Sequence, residues 1–258
     1  MTPSEGDKAV VLLGARSHGL HTGYDVQFSR DNATYEALET ITRFAGTGTL
    51  TSAFNAVGTF TASAATDKIT INAHGLANGT PLAFAIGGGV LPAPLVEGKT
   101  YYLRDSATND FKLALTVGGA AIDLTTAGTT NATRKCLLVS TQLDMHAVDR
   151  LTFAGQTSGQ ADDNTLLLFL ESEILSVEGY VAAGGTLMNV TNLRRGRYGT
   201  TPADHANGAR GWLIYRADLV ALTHVAFVTG QTRYFKPITY TATASQDIAS
   251  VTAESVVI

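Results

Sequence analysis

Apolar residues in this chain recur with a period of two, in short bursts that Gly, Asn, Asp or Ser bring to a stop. Tyr24-Asp25-Val26-Gln27-Phe28 and Lys68-Ile69-Thr70-Ile71 set the pattern. In an extended chain successive side chains point to opposite faces, so such a burst puts its apolar residues on one face of a sheet and stops at a turn. The same signature covers 100–103, 111–115, 166–170, 174–177, 187–190, 212–215 and 233–238. Stripes with the 3.6-residue period of a helix are scarce, and 217–228 is expected to hold one short helical turn at most. The fold class expected is all-β.

Composition agrees that the chain has a core to bury. Apolar residues make up 45% of the 258 and charged residues only 16%, which places the chain outside the disordered class. A formal net charge of -4 offers no basic face, so neither nucleic acid nor an anionic membrane is expected as a partner. Cys136 is the single cysteine, which excludes an intrachain disulfide and a cysteine-based zinc cluster and reads as a small buried hydrophobe. No apolar run approaches the length of a membrane span, and the opening MTPSEGDK lacks the basic-then-apolar order of an export signal. The expectation is a soluble protein without a membrane span, not exported by that route.

The middle third has its own texture: rich in Thr, Ala and Gly, poor in charge, and punctuated by Asn78-Gly79, Gly87-Gly88-Gly89 and Asn109-Asp110. Residues 57–135 are therefore expected to form an inserted small antiparallel β-barrel. The flanks, 1–56 and 136–258, are expected to form one discontinuous domain resembling a β-sandwich or barrel, because insertions succeed where the two ends of a loop lie close together.

Within the middle segment the order is Ala73-His74-Gly75-Leu76, Asn78-Gly79, Leu91-Pro92, Gly98-Lys99-Thr100-Tyr101-Tyr102-Leu103 and Phe111-Lys112-Leu113-Ala114. This succession resembles a small β module that recurs in bacteriophage tail and virion proteins. His74, Tyr101, Tyr102 and Phe111 are its candidates for contact with a host surface. Aromatics beside polar loops suit sugar recognition, although alternation turns about half of such residues inward, and His74 also reads as a turn histidine bonded to backbone.

The flanks carry a second likeness, over 8–55 and 137–245. Glu173-Ile174-Leu175, then Leu193, Arg195-Gly196-Arg197-Tyr198-Gly199-Thr200, then His205-Ala206-Asn207-Gly208 is similar to the run "E-L-I-x-F, L-x-R-G-x-x-G-T, H-x-x-G" of phage tail-tip proteins. Those are the central or baseplate hub proteins of siphophages and gene transfer agents. The resemblance implies a structural virion protein, made in the bacterial cytoplasm, with the distal-tail, tape-measure and tail-fibre proteins as partners and a homotrimer about the tail axis. It also leaves room for contact with a host surface glycan or protein.

Three readings compete for the arginine-rich run 194–209. A catalytic loop would need a nucleophile in an elbow-type context, and none lies near Glu173, Asp204 and His205. A phosphate grip would need a glycine-rich loop running into a helix, whereas the run leads into the strand 212–215. A structural turn accounts for the residues with less: Gly196, Gly199 and Gly208 permit tight reversals, Thr200 satisfies backbone donors, and Arg195 or Arg197 pairs with Glu173 or ties loop carbonyls. His205 completes that set.

Other candidates carry less. His18 and His21 lack a third ligand nearby, and Asp162-Asp163-Asn164 lacks the glycine and terminal glutamate of a calcium loop. Glu171, Glu173 and Glu178 along one strand region do not make a glycosidase pair. The expectation is no metal, no cofactor and no enzymatic activity.

Overall fold

The structure is a computed structural model that describes residues 23–42, 45–86, 88–129, 134–146, 153–219, 230–240 and 244–257. Over these the chain is nearly all β, in three antiparallel sheets. The bursts picked out by alternation all fall on strands. The first sheet has four strands in the order β18-β17-β1-β2: β1 (Gly23–Ser29), β2 (Glu36–Ile41), β17 (Thr232–Tyr240) and β18 (Glu254–Val257). Tyr24, Val26 and Phe28 alternate along β1 and pack with Leu38 and Phe235.

The second sheet holds seven strands: β3 (Gly46–Leu50), β11 (Thr141–Met145), β12 (Leu166–Leu170), β13 (Glu173–Ser176), β14 (Gly179–Gly184), β15 (Leu187–Thr191) and β16 (Arg210–Tyr215). Their order is β13-β12-β16-β3-β11-β15-β14. Its two edge strands, β13 and β14, are consecutive in the chain with only Val177 and Glu178 between them. The sheet must therefore coil until its edges approach, and Leu50, Leu143, Leu166, Leu168, Leu170, Leu175, Val190 and Leu213 fill its interior. β12 is apolar at every position because both faces are covered: Leu167 packs on the outer side with Ala45 and Ile214.

The third sheet takes all its strands from 56–138: β4 (Ala56–Thr59), β5 (Thr61–Ser63), β6 (Lys68–Thr70), β7 (Pro81–Ala85), β8 (Tyr101–Arg104), β9 (Asp110–Ala114) and β10 (Lys135–Leu138). The order is β4-β10-β7-β8-β9-β6-β5, so its edges, too, are consecutive strands, separated only by Phe60. Phe60 is buried edge-on against Phe84, with ring centroids 4.8 Å apart. The core within this sheet includes Ile69, Leu82, Tyr101, Leu103, Phe111, Leu113 and Cys136.

The two seven-stranded sheets are spliced at a defined point. Leu50 of β3 lies opposite Leu143 of β11, so strands far apart in sequence are neighbours, and the whole third sheet lies between them in the chain. The chain leaves and returns along paired strands, Ala56 opposite Leu137. β10 continues to Leu138, past the expected boundary at 135, and Leu138 touches both cores while Ala83 of β7 packs into the second sheet's interior. Of the helical turn expected at 217–228, Arg216–Asp218 is a 3-10 turn and 220–228 lie outside the described residues. A short helix α1 (Ser158–Asp162), capped reciprocally by Thr157 and Gln160, lies between β11 and β12 in the chain.

Candidate functional site: a buried arginine corner

The corner begins where β12 turns into β13. Glu171 occupies a left-handed turn position (φ 53°), and Glu173 opens β13 with its carboxylate sealed from solvent. The segment after β15 returns along the free edge of β13, where the amides and carbonyls of Ser176 and Arg194 exchange two hydrogen bonds of 2.9 Å. It then reverses through Gly196 (φ 66°), Tyr198 (φ 54°) and Gly199 (φ 77°). Gly196 is required twice over: its φ is left-handed, and a Cβ there would stand 2.9 Å from both Pro202 Cδ and Thr200 O.

That reversal brings four N–H donors and an imidazole nitrogen to one carboxylate. Arg195 Nε donates to Glu173 Oε1 at 3.0 Å and Arg195 Nη2 to Oε2 at 2.6 Å, the two-pronged geometry that a guanidinium makes and an ammonium does not. The amides of Gly196 and Ala203 add bonds of 3.1 and 3.0 Å, and His205 Nε2 lies 2.9 Å from Oε2. Burial works to raise the Glu173 carboxyl, but the hydrogen bonds and charge of Arg195, with Ala203 and His205, outweigh it and hold it below the usual glutamate range. His205 Nδ1 lies 2.7 Å from Glu171 Oε2 on the solvent side.

Phe54 closes the assembly. Its backbone bridges to that of His205 (N to O 2.9 Å one way, 3.3 Å the other), its ring stacks on the imidazole with centroids 6.3 Å apart, and the Arg195 guanidinium lies 4.5 Å from its centroid. Asp204 Oδ1 accepts from the amide of Ala56 at 2.7 Å, at the start of β4. The corner therefore ties the root of the third sheet to the second.

The neighbouring arginines serve the same end elsewhere. Arg194 spreads over Asp162 (2.8 Å), Glu178 (2.9 Å), Ser158 Oγ (2.8 Å) and the carbonyl of Asn192 (2.7 Å), binding α1 to the sheet. Arg197 does not touch Glu173; it donates to the carbonyl of Asp162 at 2.7 Å and to Asn164 Oδ1. Thr200 Oγ1 donates to Arg197 O at 2.8 Å and accepts from the amide of Ile174 at 3.0 Å. Gly208 (φ 83°) donates its amide to Leu50 O at 2.8 Å. Of the residues expected in this turn, Glu173, Arg195, Gly196 and His205 meet at one point, Thr200 and Arg197 brace it, and Gly199 and Gly208 shape the loop. Phe54, Ala203 and Glu171's bond to His205 were not legible beforehand: Phe54 lies in Ser52-Ala53-Phe54-Asn55, which carries no motif.

The four candidates for surface contact in the middle segment fall differently. Phe111 and Tyr101 are buried in the core of the third sheet, not presented at its surface, because positions 101, 103, 111 and 113 share the inward face. The Tyr101 hydroxyl accepts from the amide of Val96 at 2.8 Å, and burial raises its phenol above the ordinary value. Tyr102 points outward, but to the second sheet, its hydroxyl 3.4 Å from Asn192 Oδ1. His74 is half-buried, its Nδ1 accepting from the amide of Leu76 at 3.1 Å and its ring edge-on to Phe111. Asp162 is engaged by Arg194, Cys136 is sealed in the core with its thiol pushed far up by burial, and His18 and His21 lie outside the described residues.

Fold and site together define a class: an all-β protein of three antiparallel sheets whose concentrated polar chemistry is a buried corner of paired side chains. Neither the protein-family models nor the curated proteins contain a match to this chain. Among the described residues, no helix is long and apolar enough to cross a membrane.

Proposed function

We propose that this chain is a structural component of a bacteriophage or phage-like tail tip, a hub-type β-domain formed by 1–56 and 136–258 that carries 57–135 as an inserted small β-barrel. The observation that carries the reading is the run from Glu173 through Arg195-Gly196-Arg197-Tyr198-Gly199-Thr200 to His205-Ala206-Asn207-Gly208, which resembles that of tail-tip hubs. In support, its side chains are spent on holding strands together: Glu173, the one buried carboxylate among the described residues, receives four N–H donors and faces the His205 ring, and presents no open edge to a substrate. On this reading the chain performs no chemistry and works without a cofactor. It assembles in the virion with distal-tail, tape-measure and tail-fibre proteins, as a trimer. Mass spectrometry of purified tails made by the encoding genome should find the chain, and immunogold should place it at the tip. Its absence from purified tails would end the proposal.

Host contact is the second reading, and one observation favours a protein surface over a sugar. Val90, Val96, Leu115 and Val117 of the middle segment are each more than half exposed, while Tyr101 and Phe111 are sealed inside. Binding of the chain to host envelopes, with no signal on a glycan array, is the expected pattern under this reading.

A further inference from the structure

Arg134, the residue before β10, is the most deeply buried arginine among the described residues, with no exposed surface. Its guanidinium lies 4.0 Å from the ring centroid of Phe60, a member of the third sheet's core. Nη1 donates to the carbonyls of Ala127 at 3.2 Å and Thr129 at 3.0 Å. The other edge of the fork is different: Nε and Nη2 are sealed from solvent, and neither has a hydrogen-bond partner among the described residues. Burial alone acts on the guanidinium, lowering it from its ordinary value, and no neighbouring charge is there to oppose that. The preceding residues in the chain, Thr130-Asn131-Ala132-Thr133, include no acid.

The corner of the second sheet shows what that edge is suited to. Arg195 is buried too, its guanidinium 4.5 Å from the centroid of Phe54, and it turns Nε and Nη2 onto the two oxygens of Glu173 at 3.0 and 2.6 Å. Arg134 repeats the arrangement of a buried fork over a core phenylalanine, but without the carboxylate. A guanidinium does not shed its charge in a folded protein, and an apolar side chain would fill a core position at lower cost than an unpaired cation. We propose that the Nε–Nη2 edge of Arg134 is a binding site for a carboxylate supplied from outside the chain. Ala127 and Thr129, whose carbonyls hold Nη1, are exposed, so the guanidinium lies one residue beneath the surface. The strip 127–129 is the way in, fastened to Val90 by the Thr129 amide on the Val90 carbonyl at 2.8 Å. Val90 itself is 63% exposed, an apolar lip that suits an acid carried on an apolar stem. The proposal stands on this geometry and does not depend on a tail-tip role.

NMR of the arginine Nε–H groups in the full-length 15N-arginine-labelled chain at pH 7 tests it, with sodium acetate replacing sodium chloride at constant ionic strength. The Arg134 proton, identified by its proximity to the Phe60 ring, is expected to move downfield and saturate as it bonds to acetate. The Arg195 proton, already on Glu173, is expected to stay. A second titration uses N-acetylglutamyl amide, whose one carboxylate is its side chain. The same shift there assigns the site to an acidic side chain of a partner as well; a shift with acetate alone restricts it to a free small acid. The wild-type melting temperature is expected to rise with acetate, and that of Arg134→Lys, which keeps the charge but not the fork, is expected not to respond. An Arg134 proton that acetate leaves in place overturns the proposal, as does an equal acetate response in Arg134→Lys. Should that variant not fold, the wild-type titration with its Arg195 control decides alone.

Discussion

At the scale of single residues, the corner turns on an asymmetry in buried ion pairs: a satisfied pair adds little, but removing one member strands the other. Arg195→Ala leaves Glu173 without its two strongest donors in a site closed to water, so a loss of about 3–5 kcal/mol is expected, read as a fall in melting temperature. Arg195→Lys keeps the charge but not the fork, and its melting temperature should fall between the two. The pH dependence follows from Glu173. Its carboxyl is held low in the folded chain, so its contribution is present above the ordinary glutamate pKa and is lost as pH falls through the lowered folded value. Melting temperatures taken from pH 7 down to pH 3 should therefore fall. In Glu173→Gln, already less stable at pH 7 because Arg195 is left unpaired, the acid slope should be shallower.

At the scale of elements, glycine hides β3 from the alternation rule. β3 is Gly46-Thr47-Gly48-Thr49-Leu50, which lacks apolar alternation, yet it pairs with both β11 and β16. The reason is steric: a Cβ on Gly48 would stand 2.6 Å from Met145 Sδ and 3.0 Å from Asp144 O. Gly48→Ala should cost about 1–3 kcal/mol by overpacking, and Met145→Ala in the same chain should recover part of the loss, a coupling that chemical denaturation of the single and double variants would resolve. If the two effects simply add, the steric account of β3 fails. β2, Glu36–Ile41, was hidden for a different reason: it is an edge strand with much of its surface in solvent, so polar residues occupy positions that a buried strand would fill with Val or Ile.

At the scale of the whole molecule, the consequence to test is independence of the two seven-stranded sheets. Because Ala56 and Leu137 lie opposite each other, replacing 57–136 with a short Gly-Ser turn bridges a gap that paired strands already close. The shortened chain should keep its β-sheet circular dichroism and a cooperative melt. It should melt lower, since Ala83 no longer packs into the second sheet's interior and Tyr102 no longer reaches Asn192. Light scattering on the intact chain bears on the trimer proposed for the tail axis: a monomer at every concentration would count against self-assembly of the isolated chain.

The sequence by itself determined the class of fold and the residue types at the corner. A period-two pattern is a local property, written in neighbours along the chain, and so is the need for glycine at a left-handed turn such as Gly196. What the tertiary structure alone decided is which residues meet. Glu173 and Arg195 are 22 positions apart and were open to pairing by charge, but the partner that stacks on His205, Phe54, is set by the coiling of a sheet whose two edges must approach. The same holds for Tyr101 and Tyr102, adjacent and alike in composition. One is sealed in a core and the other reaches a neighbouring sheet, because the pleat sends successive side chains to opposite faces and only the fold says what lies on each side.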